Sequence, residues 1–222
     1  MRSPGYTPVA HMPWGKGSGG GHARRGYHHG RLKEALIEAA RSLIERHGPQ
    51  GFSLSEAAKL VGVTPAAPYR HFTDRDALMG EVAKRGYELF GERLEAAWNG
   101  GLPDAVAALQ RMGLAYLTFA RDEPGFYFTM FGHSQRLSAE GGAAADKTFE
   151  LLIRAAEAVL NEKNARTAGA RALAYEIWAV SHGVAALSLG RFLDAGDVER
   201  DPQKVLSDSV YAMIERAAWL GR

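Results

Sequence analysis

Between Phe52 and Phe72 the chain sets two helix starts on either side of a single glycine, and this short arrangement restricts the fold more than any other feature. Ser53 is a side chain able to accept from the free N–H groups at a helix start, and Glu56, three positions on, completes a capping box. Leu54, Ala57, Ala58 and Val61 then recur at helical spacing, and Gly62 stops the run. Thr64 is a second cap candidate, with Pro65 at the first helical position, where its missing N–H costs nothing. The spacing predicts a short second helix over 54–61 and a short third helix from Thr64 to near Phe72, joined by a glycine turn. Such a pair is a helix-turn-helix unit: a recognition helix that is short and clear of the core can put its leading end into a major groove about 12 Å wide.

The flanking patterns supply the rest of a small head. Leu32, Ala35, Leu36, Ala39, Leu43 and Ile44 give a first helix from Arg31, closed by Gly48-Pro49. Thr73 with Asp76 reads as a capping box for a long fourth helix. Met79, Val82, Ala83, Gly86, Tyr87, Phe90, Leu94 and Trp98 line one side of it, and Asn99-Gly100-Gly101 breaks it after a rod of about 37 Å. Beyond Pro103 helices are expected near 104–121, 124–132, 146–163, 167–194 and 203–220. The breaks fall at Glu123-Pro124, Gly141-Gly142, Asn161 to Asn164 and Gly196 to Pro202. No period-2 alternation between turn signals is present, so the fold class is all-α without a sheet. Residues 1–26, with seven glycines, three prolines and no periodicity, read as a disordered N-terminal arm. The expected units are therefore this arm, a DNA-binding domain over 28–91 with its motif at about 53–72, and a helical body over 92–222.

Charge supports that division. Residues 24–72 carry eight Lys/Arg against four Asp/Glu, whereas 73–222 carry 17 against 21, within a net charge of +2. A basic head on an acidic body turns the head toward a polyanion. The absence of cysteine excludes disulfides, thiolate metal sites and cysteine nucleophiles. No apolar signal core occurs in the first 26 residues, and the charge-free apolar run Ile177–Gly190 is short for a bilayer span, so a cytoplasmic protein without membrane contact is expected. No phosphate loop, dinucleotide fingerprint, HExxH or Gly-x-Ser-x-Gly is present. Glu176 and His182 are six apart, about 600° around a helix, and so face different ways. An enzyme is not expected, nor a metal or cofactor.

The run FSLSEAAKLVGVTPAAPYRHFTDRDALM, Phe52 to Met79, resembles the TetR-family DNA-binding domain. Tyr69, His71-Phe72, Arg75 and Leu78 carry the resemblance together with the caps and the glycine turn, over about residues 28–91. Leucine is usual in the family where this chain has Pro68. The resemblance implies a sequence-specific, ligand-responsive repressor acting as a homodimer on double-stranded operator DNA, with half-sites about one helical turn apart. It further implies backbone contacts from Tyr69, His71 and Arg75, with Ser53 and Thr64 offering donors to phosphates at helix starts. Base reading falls to Pro65, Ala66, Ala67 and Arg70: the alanines suit thymine methyls and the arginine suits guanine. Arg24 and Arg25 resemble the basic arm that some members lay in the minor groove. Phe72 is expected in the head's core.

In the body, Trp178, His182 and Gly183 form Trp-x3-His-Gly, which resembles the signature of a TetR subgroup named for those residues. A small hydrophobic effector is implied, in a cavity lined by Trp178, His182, Phe126, Phe128, Met130 and Phe131, with Tyr127 in the same aromatic cluster; a packed core is the competing reading of these side chains. The helices near 167–194 and 203–220, with Ala172, Ala179, Ala186, Val205, Val210, Ile214 and Leu220, are implied to pair with their twins in a dimer. The alternative to a regulator is a ligand-binding or interaction module without operator binding, against which the intact Tyr69, Arg70, His71 and Arg75 argue.

Overall fold

The apolar stripe of the first helix closes over a core as its spacing requires: Leu36, Ala39, Ala40, Leu43 and Ile44 are all buried. In a computed structural model, which describes residues 23–132, 139–165 and 169–221, this helix is α1 (Ala23–His47). The other helices are α2 (Leu54–Val61), α3 (Arg75–Trp98), α4 (Ala105–Asp122), α5 (Pro124–Phe131), α6 (Ala139–Glu162), α7 (Ala170–Leu189) and α8 (Pro202–Leu220). No strand occurs among the described residues. The head is α1, α2 and the start of α3; α3 then continues into the body, packing on α4, α5 and α6.

Several boundaries differ from the sequence reading. α1 begins at Ala23, so residues 23–26 of the expected arm form its first turn, and residues 1–22 lie outside the described ones. Gly26 and Gly30 weaken a helix by about 1 kcal/mol each without breaking it, and no proline interrupts it there. α3 is capped by Asp74, whose carboxylate accepts from the Ala77 N–H at 2.8 Å, one residue later than the Thr73 box. α6 runs through Gly141-Gly142, which fall in its first turn, where few helical bonds are at stake. α7 stops at Gly190, followed by Arg191 in the left-handed region, where the Arg191 N–H bonds the Ser188 carbonyl at 3.0 Å. By length and composition alone α7 could cross a membrane; here it packs against α4, α6 and α8.

The short α5 fixes the head to the body. Pro124 starts it, and the preceding Glu123 meets Arg93 of α3 at 2.7 Å and Arg41 of α1 at 3.9 Å. Two glycines let the backbones close: a Cβ on Gly125 would lie 2.6 Å from the Arg41 carbonyl oxygen, and one on Gly86 2.7 Å from Met130 Sδ. Phe126 of α5 lies beneath the Arg41 guanidinium, 5.5 Å from its ring centre. Gly125→Ala is therefore expected to lower the unfolding free energy by about 1–3 kcal/mol, because a backbone atom cannot yield as a side-chain tip can. Gly142→Ala, whose Cβ meets nothing within 4 Å, is expected to be neutral or stabilising by up to about 1 kcal/mol. Urea denaturation of the two variants measures the difference.

Candidate nucleic-acid interface and effector cavity

At the head, Ser53 caps α2 as its spacing requires. Its hydroxyl oxygen accepts from the Glu56 N–H at 3.2 Å and its proton goes to the Glu56 carboxylate at 2.9 Å. That hydroxyl, expected at a phosphate, is thus taken up by the cap in the free protein. Gly62 ends α2 at φ 78°, a left-handed conformation that suits glycine, and the Val63 N–H reaches back to the Ala58 carbonyl at 3.0 Å.

The segment after Val63 is not the α-helix predicted from Thr64. Prolines at 65 and 68 remove two N–H groups, and an α-helix would need the second of them to donate to the Thr64 carbonyl. That carbonyl instead accepts from Ala67 N–H at 3.0 Å. A 3₁₀ turn comes next at Pro68–Arg70, with Arg70 N–H to the Ala67 carbonyl at 3.2 Å and His71 N–H to the Pro68 carbonyl at 2.9 Å. Pro68 is fully buried, filling the position where a leucine is usual, and Phe72 beside it is buried in the head's core. Thr64, Pro65, Ala66, Tyr69 and Arg70 are exposed, with Tyr69 at 58%, while Ala67 and His71 are half-buried. Most of the expected DNA-facing side chains in this segment are therefore exposed to solvent. Lys59, absent from the sequence-based set, borders it: with Ser55, Glu56, Val63 and Pro65 it edges a shallow depression. Its signal was present, as the one basic residue of α2.

Arg75 is placed differently from its expected role. Its guanidinium turns inward, donating to the Phe52 carbonyl at 3.1 Å and to the Pro49 carbonyl, and lies 4.9 Å from the Phe52 ring centre. It ties the first turn of α3 to the link between α1 and α2. Arg24 and Arg25 fall in the first turn of α1, and their side chains lie outside the described ones.

The body holds a cavity of about 250 Å³ between α3, α4, α6 and α7, touched by Phe131 of α5 and Val210 of α8. Of the residues expected to line it, Phe131 and Trp178 do so. Phe126 and Met130 are buried on the α5 face that meets α1 and α3, and Phe128 is 37% exposed, away from the cavity. His182 stands behind Phe131, with ring centres 4.8 Å apart. Its Nδ1 lies 3.0 Å from the Tyr127 hydroxyl and 3.2 Å from that of Tyr116, joining α4, α5 and α7. Burial holds the imidazole below its usual pKa and pushes the Tyr127 phenol up to about 12, so both groups are neutral near pH 7. Tyr116 carries the network to the cavity wall, where burial raises its hydroxyl further.

The remaining wall comes from residues the sequence did not single out as ligand-facing: Tyr87, Phe90 and Leu94 of α3, Met112 of α4, and Thr148, Phe149 and Leu152 of α6. On α3 they lie on the apolar stripe, which reads as core whether it meets a helix or a void.

Comparison with known proteins agrees with both halves. Residues 36–82 match the family model for bacterial regulatory proteins of the tetR family, and residues 109–213 match the tetracyclin repressor-like C-terminal domain. Over 99 residues the chain is 28% identical to the uncharacterized HTH-type transcriptional regulator YobS of Bacillus subtilis (strain 168), a match covering 44% of this chain and 50% of that one. The chain thus spans about half the length of that relative. The structure of a protein of unknown function from Rhodococcus sp. RHA1 is similar at a TM-score of 0.73 and 27% identity, covering 86% of this chain and 98% of the other. The TetR family transcriptional regulator PfmR from Thermus thermophilus shares the fold at a TM-score of 0.62 and 18% identity, covering 81% and 97%. With a helix-turn-helix head matched by one model and a helical body matched by the other, the chain belongs to the TetR family of bacterial transcriptional regulators.

Proposed function

We propose that the protein is a ligand-responsive repressor that binds operator DNA as a homodimer in the cytoplasm. The observation that carries this reading is that one helix serves both sites. α3 begins beside the turn that presents Tyr69 and Arg70, and about 18–29 Å further along it Tyr87, Phe90 and Leu94 line the cavity. A ligand that fills the cavity differently from the empty state must act on α3, and through Arg75 and α5 on the head. A coupling of about 1–3 kcal/mol suffices to change operator affinity 5–150-fold.

On DNA, Thr64, Pro65, Ala66, Ala67, Tyr69, Arg70 and His71 face the groove and its phosphates, with Arg70 the candidate for a guanine and the alanines for thymine methyls. Ser53 sets the start of α2, and the minor-groove role of Arg24 and Arg25 belongs to the same reading. Arg75 acts as a positioning residue, since its Nε and Nη2 donate to the Phe52 and Pro49 carbonyls and its Nη1 lies 3.6 Å from the Asp76 carboxylate. The dimer forms through α7 and α8. Ala172, Ala179 and Ala186 lie exposed on one side of α7, where small side chains permit close helix approach, and Tyr211, Trp219 (73% exposed) and Leu220 (66%) give α8 an uncovered apolar surface.

Arg70→Ala is expected to relax preference at one base position, at a cost of about 1–3 kcal/mol. Arg75→Ala is expected to weaken binding to all sequences alike and leave the salt dependence unchanged. A salt slope smaller by about 1 would instead make Arg75 a phosphate contact. Fluorescence anisotropy on operator variants at several salt concentrations reads both. Gel shifts with the protein's own upstream region separate a regulator from a module without operator binding, which would show no preference over bulk DNA. Ala179→Arg, placing a long cation in the small-residue side of α7, is expected to convert dimer to monomer in sedimentation and to lower operator affinity at least tenfold, a loss of about 1.4 kcal/mol. A dimer of unchanged strength would remove α7 from the interface.

A further inference from the structure

The cavity wall is unusual in what it withholds. Three hydroxyls on it already donate within the protein: Tyr87 to the Met130 carbonyl at 3.0 Å, Thr148 to the Ala144 carbonyl at 2.9 Å and Ser181 to the Ile177 carbonyl at 2.8 Å. The Tyr116 hydroxyl lies 3.2 Å from His182 Nδ1. With these four hydroxyls engaged, the deep wall offers chiefly lone pairs and aromatic faces. Among the described residues no lysine or arginine lines it, and the one ionisable carboxylate on its wall, Asp146, has no ion-pair partner.

Near Asp146 the rings of Phe149, Tyr175 and Trp178 form one continuous surface, with centres 4.6 Å apart for Phe149–Tyr175, 5.7 Å for Phe149–Trp178 and 6.4 Å for Tyr175–Trp178. Tyr175, Trp178 and Asp146 are all partly open to solvent, so this group stands at the mouth while the deeper wall is apolar. An anion entering here would lose its hydration, meet no lysine or arginine among the described residues, and face a carboxylate. A cation would meet ring faces whose quadrupoles attract it and a carboxylate that neutralises it.

We propose that the effector cavity takes a small lipophilic organic cation, its apolar body inside and its positive group at the mouth between the Phe149, Tyr175 and Trp178 rings and the Asp146 carboxylate. This rests on the reading of the cavity as the effector site and names the chemical class that site selects.

The test is isothermal titration calorimetry of the full chain with three probes of similar size: benzyltrimethylammonium, its uncharged carbon isostere neopentylbenzene, and the anion 3-phenylpropanoate. The cation is expected to bind about tenfold tighter than the neutral isostere, and the anion more weakly than either. Asp146→Asn and Tyr175→Leu are each expected to bring the ratio of cation to neutral affinity toward one, and Asp146→Glu to retain it. Equal or tighter binding of the neutral probe or the anion, or a ratio that Asp146→Asn leaves unchanged, overturns the cationic class while the cavity reading stands. Binding of none of the three overturns both.

Discussion

The seat of α5 is the contact on which the rest of the molecule depends. A helix of eight residues is too short to be stable by itself, and its place is set by backbones that can approach only at glycine. Gly125 lets α5 lie against the Arg41 carbonyl of α1, and Gly86 lets Met130 sink into α3. Glu123, bonded to Arg93 and near Arg41, orients the entry to this short helix. α5 thus touches α1 of the head, the long helix α3 and, through Tyr127, the His182 of α7.

The same economy governs the segment proposed to face DNA. Two prolines trade helical regularity for a compact series of turns, in which Pro68 and Phe72 anchor inward while Tyr69 and Arg70 stand outward. A segment whose φ angles are fixed at two positions loses little conformational freedom when it meets a rigid partner. Arg75 reinforces it from behind, bonding two carbonyls of the link between α1 and α2 that would otherwise need water. The recognition surface is thus held by the core of the head rather than by its own hydrogen bonds.

In the body, the neutral Tyr116–His182–Tyr127 group satisfies polar atoms in a largely apolar interior and places them just behind the cavity wall. Satisfied polar groups at such depth specify one arrangement, because any displacement leaves a donor or acceptor without a partner.

Much of this was legible in the residues themselves. The cap at Ser53, the stops at Gly48, Gly62 and Asn99-Gly100-Gly101, and the burial of Leu36, Ile44 and Phe72 come from local chemistry, since a cap or an apolar period acts within a few residues. Local reading failed where two signals competed. Pro65 at a helix start pointed to a helix while Pro68 denied it, and Gly141-Gly142 signalled a break but fall in the first turn of α6, where glycine costs few helical bonds. The sequence alone determined the helical class, the head's order and its family. Only the tertiary structure decided that Arg75 turns inward, that His182 backs the cavity instead of lining it, and that Tyr87, Phe149 and Asp146 share its wall. Those facts depend on which distant helices meet, and a helical period marks an apolar face without saying whether it closes on a neighbour or on a void.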